Sequence, residues 1–136
     1  MANRYGEAAI MAAKGIGSAT GDPKVRWENA LARLYPTSPA ARKKGAPRGA
    51  FLGLCEDGLV DGIAAGRYTP PTENKTYAVK AAALLLEGAQ PWSLTTLWKE
   101  VTKDAPKEHD CQMDVVLALW KNNLIVRKAK PTPPKS

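Results

Sequence analysis

The chain has 136 residues, 44% of them apolar, and a net charge of +7. That length fits one ordinary domain, or two very small units sharing a core, and the composition is that of a folded protein rather than a disordered one. No apolar run approaches the roughly 20 residues that span a bilayer, and MANRYGEAAI carries no cationic stretch leading into an apolar core, so neither a membrane span nor a signal peptide is expected.

Tyr5, Ala8, Ala9, Ala12 and Ile16 fall at helical spacing and predict a first helix from Tyr5 to about Ile16, ended by GIGSATGD. Asp22 followed by Pro23 is a start signal for a second helix, whose apolar stripe is Trp27, Ala30, Leu31 and Leu34 and which Tyr35-Pro36 closes. A basic loop, TSPAARKKGAPRG, comes next. Pro47 then restarts a helix running to about Asp57, with Gly58 at the left-handed stop and Leu59 folding back onto it. Two short β-prone runs follow, Leu59 to Ile63 and Arg67 to Thr69; a small hairpin and a plain loop both remain open there.

PPTENK reads as a linker, after which the order repeats. Tyr77 to Glu87 is predicted as a helix ending at Gly88. Ser93 caps the next, with Leu94, Leu97, Trp98 and Val101 as its stripe. Asp110 can cap a third, Cys111 to Asn122, and Asn123 stands where Gly58 stood. Tyr5 pairs with Tyr77, Asp22 with Ser93, Trp27 with Trp98, Phe51 with Val116 and Gly58 with Asn123. Caps, stripes and stops rarely agree by chance, so the expectation is an all-α protein built by duplication of a three-helix, helix-turn-helix-like unit and packed into one body. The units span 1–69 and 77–126, joined by a linker at 70–76 and followed by a disordered, basic, proline-rich tail at 127–136.

Helix, helix, turn, helix and then an extended run after GLV or NLI resembles the winged helix-turn-helix family in outline. A groove-reading third helix needs a face of Arg, Lys, Asn or Gln. In the first unit the outward positions are Arg48, Gly49, Gly53, Glu56 and Asp57; in the second, CQMDVVLALW is apolar nearly all round, as buried helices are. Both third helices are therefore expected to be core elements packed on each other across a pseudo-twofold axis. A nearer resemblance lies in RYGEAAIMAAK, KGAPRGAFLGLCEDGLVDGI, YAVKAAALLL and QMDVVLALW, which look like the signature blocks of a small bacterial family without assigned function. That resemblance implies no activity.

Candidate chemistry concentrates in ARKKGAPRGA. Arg42, Lys43, Lys44 and Arg48 crowd a helix start whose free N–H groups favour anions, and Gly45 and Gly49 would let a phosphate approach. Arg127, Lys128 and Lys130 of the tail add to this set. A solvated basic loop that serves solubility alone is the competing reading. His109 has no partners at metal-ligand spacing and reads as an exposed loop residue; Cys55 and Cys111 read as reduced thiols in apolar surroundings, and a cytoplasmic location follows by default. No catalytic constellation, metal or cofactor is expected. The leading function is a non-enzymatic protein that contacts nucleic acid through backbone phosphates; the alternative is a protein-interaction or structural module, with a protein partner or a homodimer and no membrane role.

Overall fold

In the computed structural model, which describes residues 4–18, 20–70, 72–103, 105 and 107–127, the regular structure is helical. The first half holds α1 (Tyr5–Lys14), α2 (Pro23–Leu34), a one-turn α3 (Pro39–Arg42) and α4 (Gly45–Glu56). The second holds α5 (Glu73–Glu87), α6 (Leu94–Thr102) and α7 (Gln112–Lys121). The all-α expectation holds.

Local chemistry sets most of the starts. Asp22 accepts from the Lys24 N–H at 2.9 Å, with Pro23 in the first helical position. Ser93 and Thr96 form a reciprocal capping box: the Thr96 N–H donates to Ser93 Oγ at 3.1 Å, and the Ser93 N–H donates to Thr96 Oγ1 at 3.0 Å. Other boundaries differ from expectation. The basic loop contains α3, because the Ser38 hydroxyl accepts from the Ala41 N–H, and α4 begins at Gly45, two residues before Pro47. Thr72 caps α5, so half of the expected linker is helix. Asp110 does not cap α7. Cys111 takes that position with φ 72, and the His109 imidazole Nε2 accepts from the Met113 N–H at 3.0 Å.

The β-prone run after Gly58 pairs with the other half of the chain rather than forming a hairpin. Val60 and Ile125 make an antiparallel bridge; the Asp61 N–H donates to the Leu124 carbonyl at 2.8 Å and the Val126 N–H to the Leu59 carbonyl at 2.9 Å. The helix ends leading into it are alike. Gly58 (φ 71) and Asn123 (φ 60) both adopt the left-handed conformation, the Leu59 N–H returns to the Leu54 carbonyl at 3.0 Å, and the Leu124 N–H to the Leu119 carbonyl at 2.9 Å.

Packing interlocks the halves. α1 lies on α2 but also on α7, α4 lies on α5, and α4 and α7 pack on each other. Residues of both halves share one apolar cluster, in which Trp27 stacks on Phe51 and Trp98 meets Tyr77 edge-on, each pair with ring centroids 5.1 Å apart. α1 and α5 bury residues at the same spacing. Tyr5, Ala8, Ala9 and Ala12 are buried in α1, and Ala78, Ala81, Ala82 and Leu85 in α5, each 73 positions later. Tyr77, which the sequence pairs with Tyr5, is half-buried beside this face.

The face of α4 that looked outward is covered. A Cβ added at Gly53 would lie 2.6 Å from the Lys75 Cβ, and one at Gly49 would lie 3.1 Å from the Asn74 Cβ. Beside them Glu56, its side chain only 9% exposed, accepts from Lys75 Nζ at 2.8 Å and from the N–H groups of Tyr68 and Thr69 at 2.7 and 2.8 Å. Burial acts to raise the Glu56 pKa, but these donors outweigh it and leave it below the usual carboxylate value. In α7, Met113, Val115, Val116, Leu117 and Leu119 are buried. Neither third helix presents a free polar face for a DNA groove.

Candidate functional site

The basic segment divides into spoken-for and free cations. Lys44, at the N-cap of α4, makes an ion pair with Asp110 at 2.6 Å and lies 5.9 Å from the centroid of the Tyr5 ring. The hydrogen bond to Asp110 raises the lysine pKa. Arg48 stands 3.9 Å from Glu28, a loose contact between half-exposed groups. Such pairs contribute little stability, but they lower the charge available to a ligand. Arg42, the last residue of α3, and Lys43 after it have no ion-pair or side-chain hydrogen-bond partner among the described residues; Lys43 is exposed and Arg42 half-buried.

Hydrogen bonds to the backbone anchor the turn that carries these two. The Tyr5 hydroxyl donates to the Ala41 carbonyl at 2.8 Å, and the Lys43 N–H returns to the Pro39 and Ala40 carbonyls at 3.2 Å. The start of α4 beyond has no side-chain cap. Space around Gly45 is open, whereas Gly49 is closed by α5. Of the two glycines expected to admit a phosphate, only Gly45 has open space beside it. Arg127 is distant in sequence and role: its Nη2 donates to the Leu86 carbonyl at 3.2 Å, at the end of α5. Lys128 and Lys130, with the rest of the tail, lie outside the described residues.

His109 is not the exposed loop residue the sequence implied. Besides capping α7 it packs edge-on against Trp98 at 5.0 Å, and burial lowers its pKa against the opposing pull of Asp114 and Asp110. Cys55 is fully buried in α4, and burial pushes its thiol far above the ordinary range; Cys111 is half-buried and shifted the same way.

Sequence reasoning missed the residues that hold this region together. Gln112 is buried, donates to Asn74 Oδ1 at 2.9 Å and accepts from the Asp110 N–H through Oε1. Asp110 thereby stays near Lys44, 66 positions earlier, and no local pattern signals such a partner. A second concave region also went unread. Trp92 separates two open pockets of about 510 and 500 Å³, the first walled by Leu85, Pro91, Leu117 and Trp120 and the second by Gly6, Leu94, Asp114 and Ala118.

A family model described as a family of unknown function (DUF6979) matches residues 2–126, nearly all of the chain. The chain belongs to this family. No curated protein and no solved structure matches it. In this member the matched region ends one residue before Arg127, so it takes in the whole helical body and the Val60–Ile125 bridge and leaves the proline-rich tail outside.

Proposed function

We propose that the protein is a non-enzymatic binding protein that contacts nucleic acid weakly, through backbone phosphates, at the turn joining α3 to α4. The observation that carries this reading is the pair Arg42 and Lys43, two cations without acidic partners among the described residues, set beside an uncapped helix start that is open at Gly45. Side-chain cations and free N–H groups at a helix start bind phosphate oxygens without reading bases. Lys128 and Lys130 would add nonspecific charge; Lys44 and Arg48 would serve the fold. Within the same reading the two halves are copies of one unit, and the second copy supplies Asp110 and Gln112 as supports for the contact turn of the first.

Titration of a labelled duplex and a labelled single strand at two salt concentrations tests this. Binding should weaken steeply with salt, and Arg42→Ala with Lys43→Ala should lower the slope of log affinity against log salt by about 1 to 2. Lys44→Ala should change stability more than slope. Absence of binding at low salt would sink the proposal.

A further inference from the structure

We propose that His109 is a proton switch on the contact turn. On taking a proton its imidazole gives up its bond to α7 and competes with Lys44 for Asp110, so that Lys44 joins Arg42 and Lys43 in holding phosphate. This rests on the phosphate-binding reading above and adds its regulation. The neutral ring is an acceptor: its Nε2 takes the Met113 N–H at 3.0 Å. A protonated ring carries N–H at both nitrogens and can only donate. The cap on α7 is then lost, and Nε2 turns to carboxylates, of which Asp114 already stands with Oδ2 4.0 Å away. Asp110, the next residue, also acts on the charge of the ring.

The surroundings tune the ring to acid and pass the change on. Its side chain is 21% exposed and meets Trp98 of α6 edge-on at 5.0 Å. Burial favours the neutral form against the pull of Asp114 and Asp110, so charging waits for mildly acid pH. Charge reaches the ring from Asp114 on α7, from Asp110 with Lys44 of the α4 start bound to it, and along the loop from Glu108 and from Lys107, which pairs with Glu73 of α5 at 3.2 Å. The Cys111 thiol, raised by burial, stays neutral. Lys44 and Asp110 meet at 2.6 Å with side chains 39% and 45% exposed, and a pair so exposed is weakly held. A new cation one residue from Asp110 is enough to rival Lys44. Gln112 fixes the Asp110 backbone through its N–H, so the carboxylate alone has to turn. The lysine released sits next to Lys43, at the uncapped start of α4.

His109 is the one histidine of the chain, so its imidazole gives a single NMR titration. The Lys44 side-chain signal, assigned through Lys44→Ala, should shift with the same midpoint. In His109→Gln, which keeps an acceptor for Met113 but takes no proton, it should stay in place. Coupling between two sites is reciprocal, so Lys44→Ala should raise the His109 midpoint and Asp110→Asn should lower it. A labelled single strand is then titrated at pH 7.5 and at one unit below that midpoint. The slope of log affinity against log salt should steepen by about 1 at the lower pH, the effect of one more phosphate contact. Lys44→Ala and His109→Gln should each lose that increment. The proposal is overturned if the Lys44 signal does not follow His109, if Lys44→Ala leaves the midpoint unmoved, or if the slope steepens equally without Lys44. A midpoint below about pH 4.5, where carboxylates themselves titrate, or loss of helical circular dichroism at the lower pH, also overturns it. No binding at either pH, with the Lys44 shift intact, would instead refute the phosphate-binding reading and leave the switch on Lys44 standing.

Discussion

Val60 and Ile125 face each other across an antiparallel bridge, 65 residues apart in sequence, and each lies two residues after a left-handed helix stop. The two bridge hydrogen bonds, at 2.8 and 2.9 Å, join equivalent positions in opposite senses. This is the arrangement a local twofold axis produces, and it ties the end of α4 to the end of α7.

Removing one donor of that bridge tests its weight. Val126→Pro deletes the N–H that reaches the Leu59 carbonyl and should cost about 1 to 3 kcal/mol, because an acceptor beside the core is left unmatched. Val126→Ala keeps the donor and should cost much less. Urea denaturation of both variants measures the difference.

The two helix stops should respond in opposite ways. Asn123 holds φ 60, a region glycine enters without strain, so Asn123→Gly should be neutral or stabilise by up to about 1 kcal/mol. Gly58→Ala places a Cβ at φ 71 and should destabilise by about 1 to 2 kcal/mol. Thermal melts of the two variants should move in opposite directions, or Asn123→Gly not at all; a fall for Asn123→Gly would contradict the shared geometry.

Close approach of α4 to α5 gives a sharper contrast. Gly53→Ala forces a methyl to 2.6 Å from Lys75, near backbone as well as side chain, and should cost about 1 to 3 kcal/mol. Gly45→Ala meets nothing within 4 Å and should leave stability unchanged or slightly raised. Denaturation midpoints for the pair check both.

Acid should destabilise the protein in two windows. Burial lowers the pKa of His109 in the folded state, so the unfolded chain binds its proton more readily; the neutral imidazole's contribution is complete above the unfolded value of about 6.5 and is lost as pH falls through the folded one. Protonation also removes the acceptor for the Met113 N–H. Glu56, held low by its donors, contributes stability above the ordinary carboxylate range that is lost on further acidification. Stability measured from pH 7.5 to 3 should fall in both windows, with His109→Ala flattening only the upper one and itself costing about 1 kcal/mol at pH 7.5.

Much of the fold was legible because its signals are local. Asp22-Pro23 and Ser93 start helices through their own side chains, Gly58 and Asn123 stop them through their own φ, and the apolar stripe of α7 announces burial. The site was legible only as a run of cations. Which of Arg42, Lys43, Lys44 and Arg48 remain available depends on Asp110 and Glu28, and neither position carries a mark of that pairing in sequence.

By itself, then, the sequence determined most of the helices and their order, since propensity, capping and periodicity act within a few residues. Tertiary structure decided the partners. It set α1 on α7 and α4 on α5, paired Val60 with Ile125 rather than with a hairpin strand, turned the glycine face of α4 inward, and made His109 a helix cap. Those choices depend on which surfaces meet at a distance. Burial and shape complementarity across the whole chain settle that, and no window of neighbouring residues contains it.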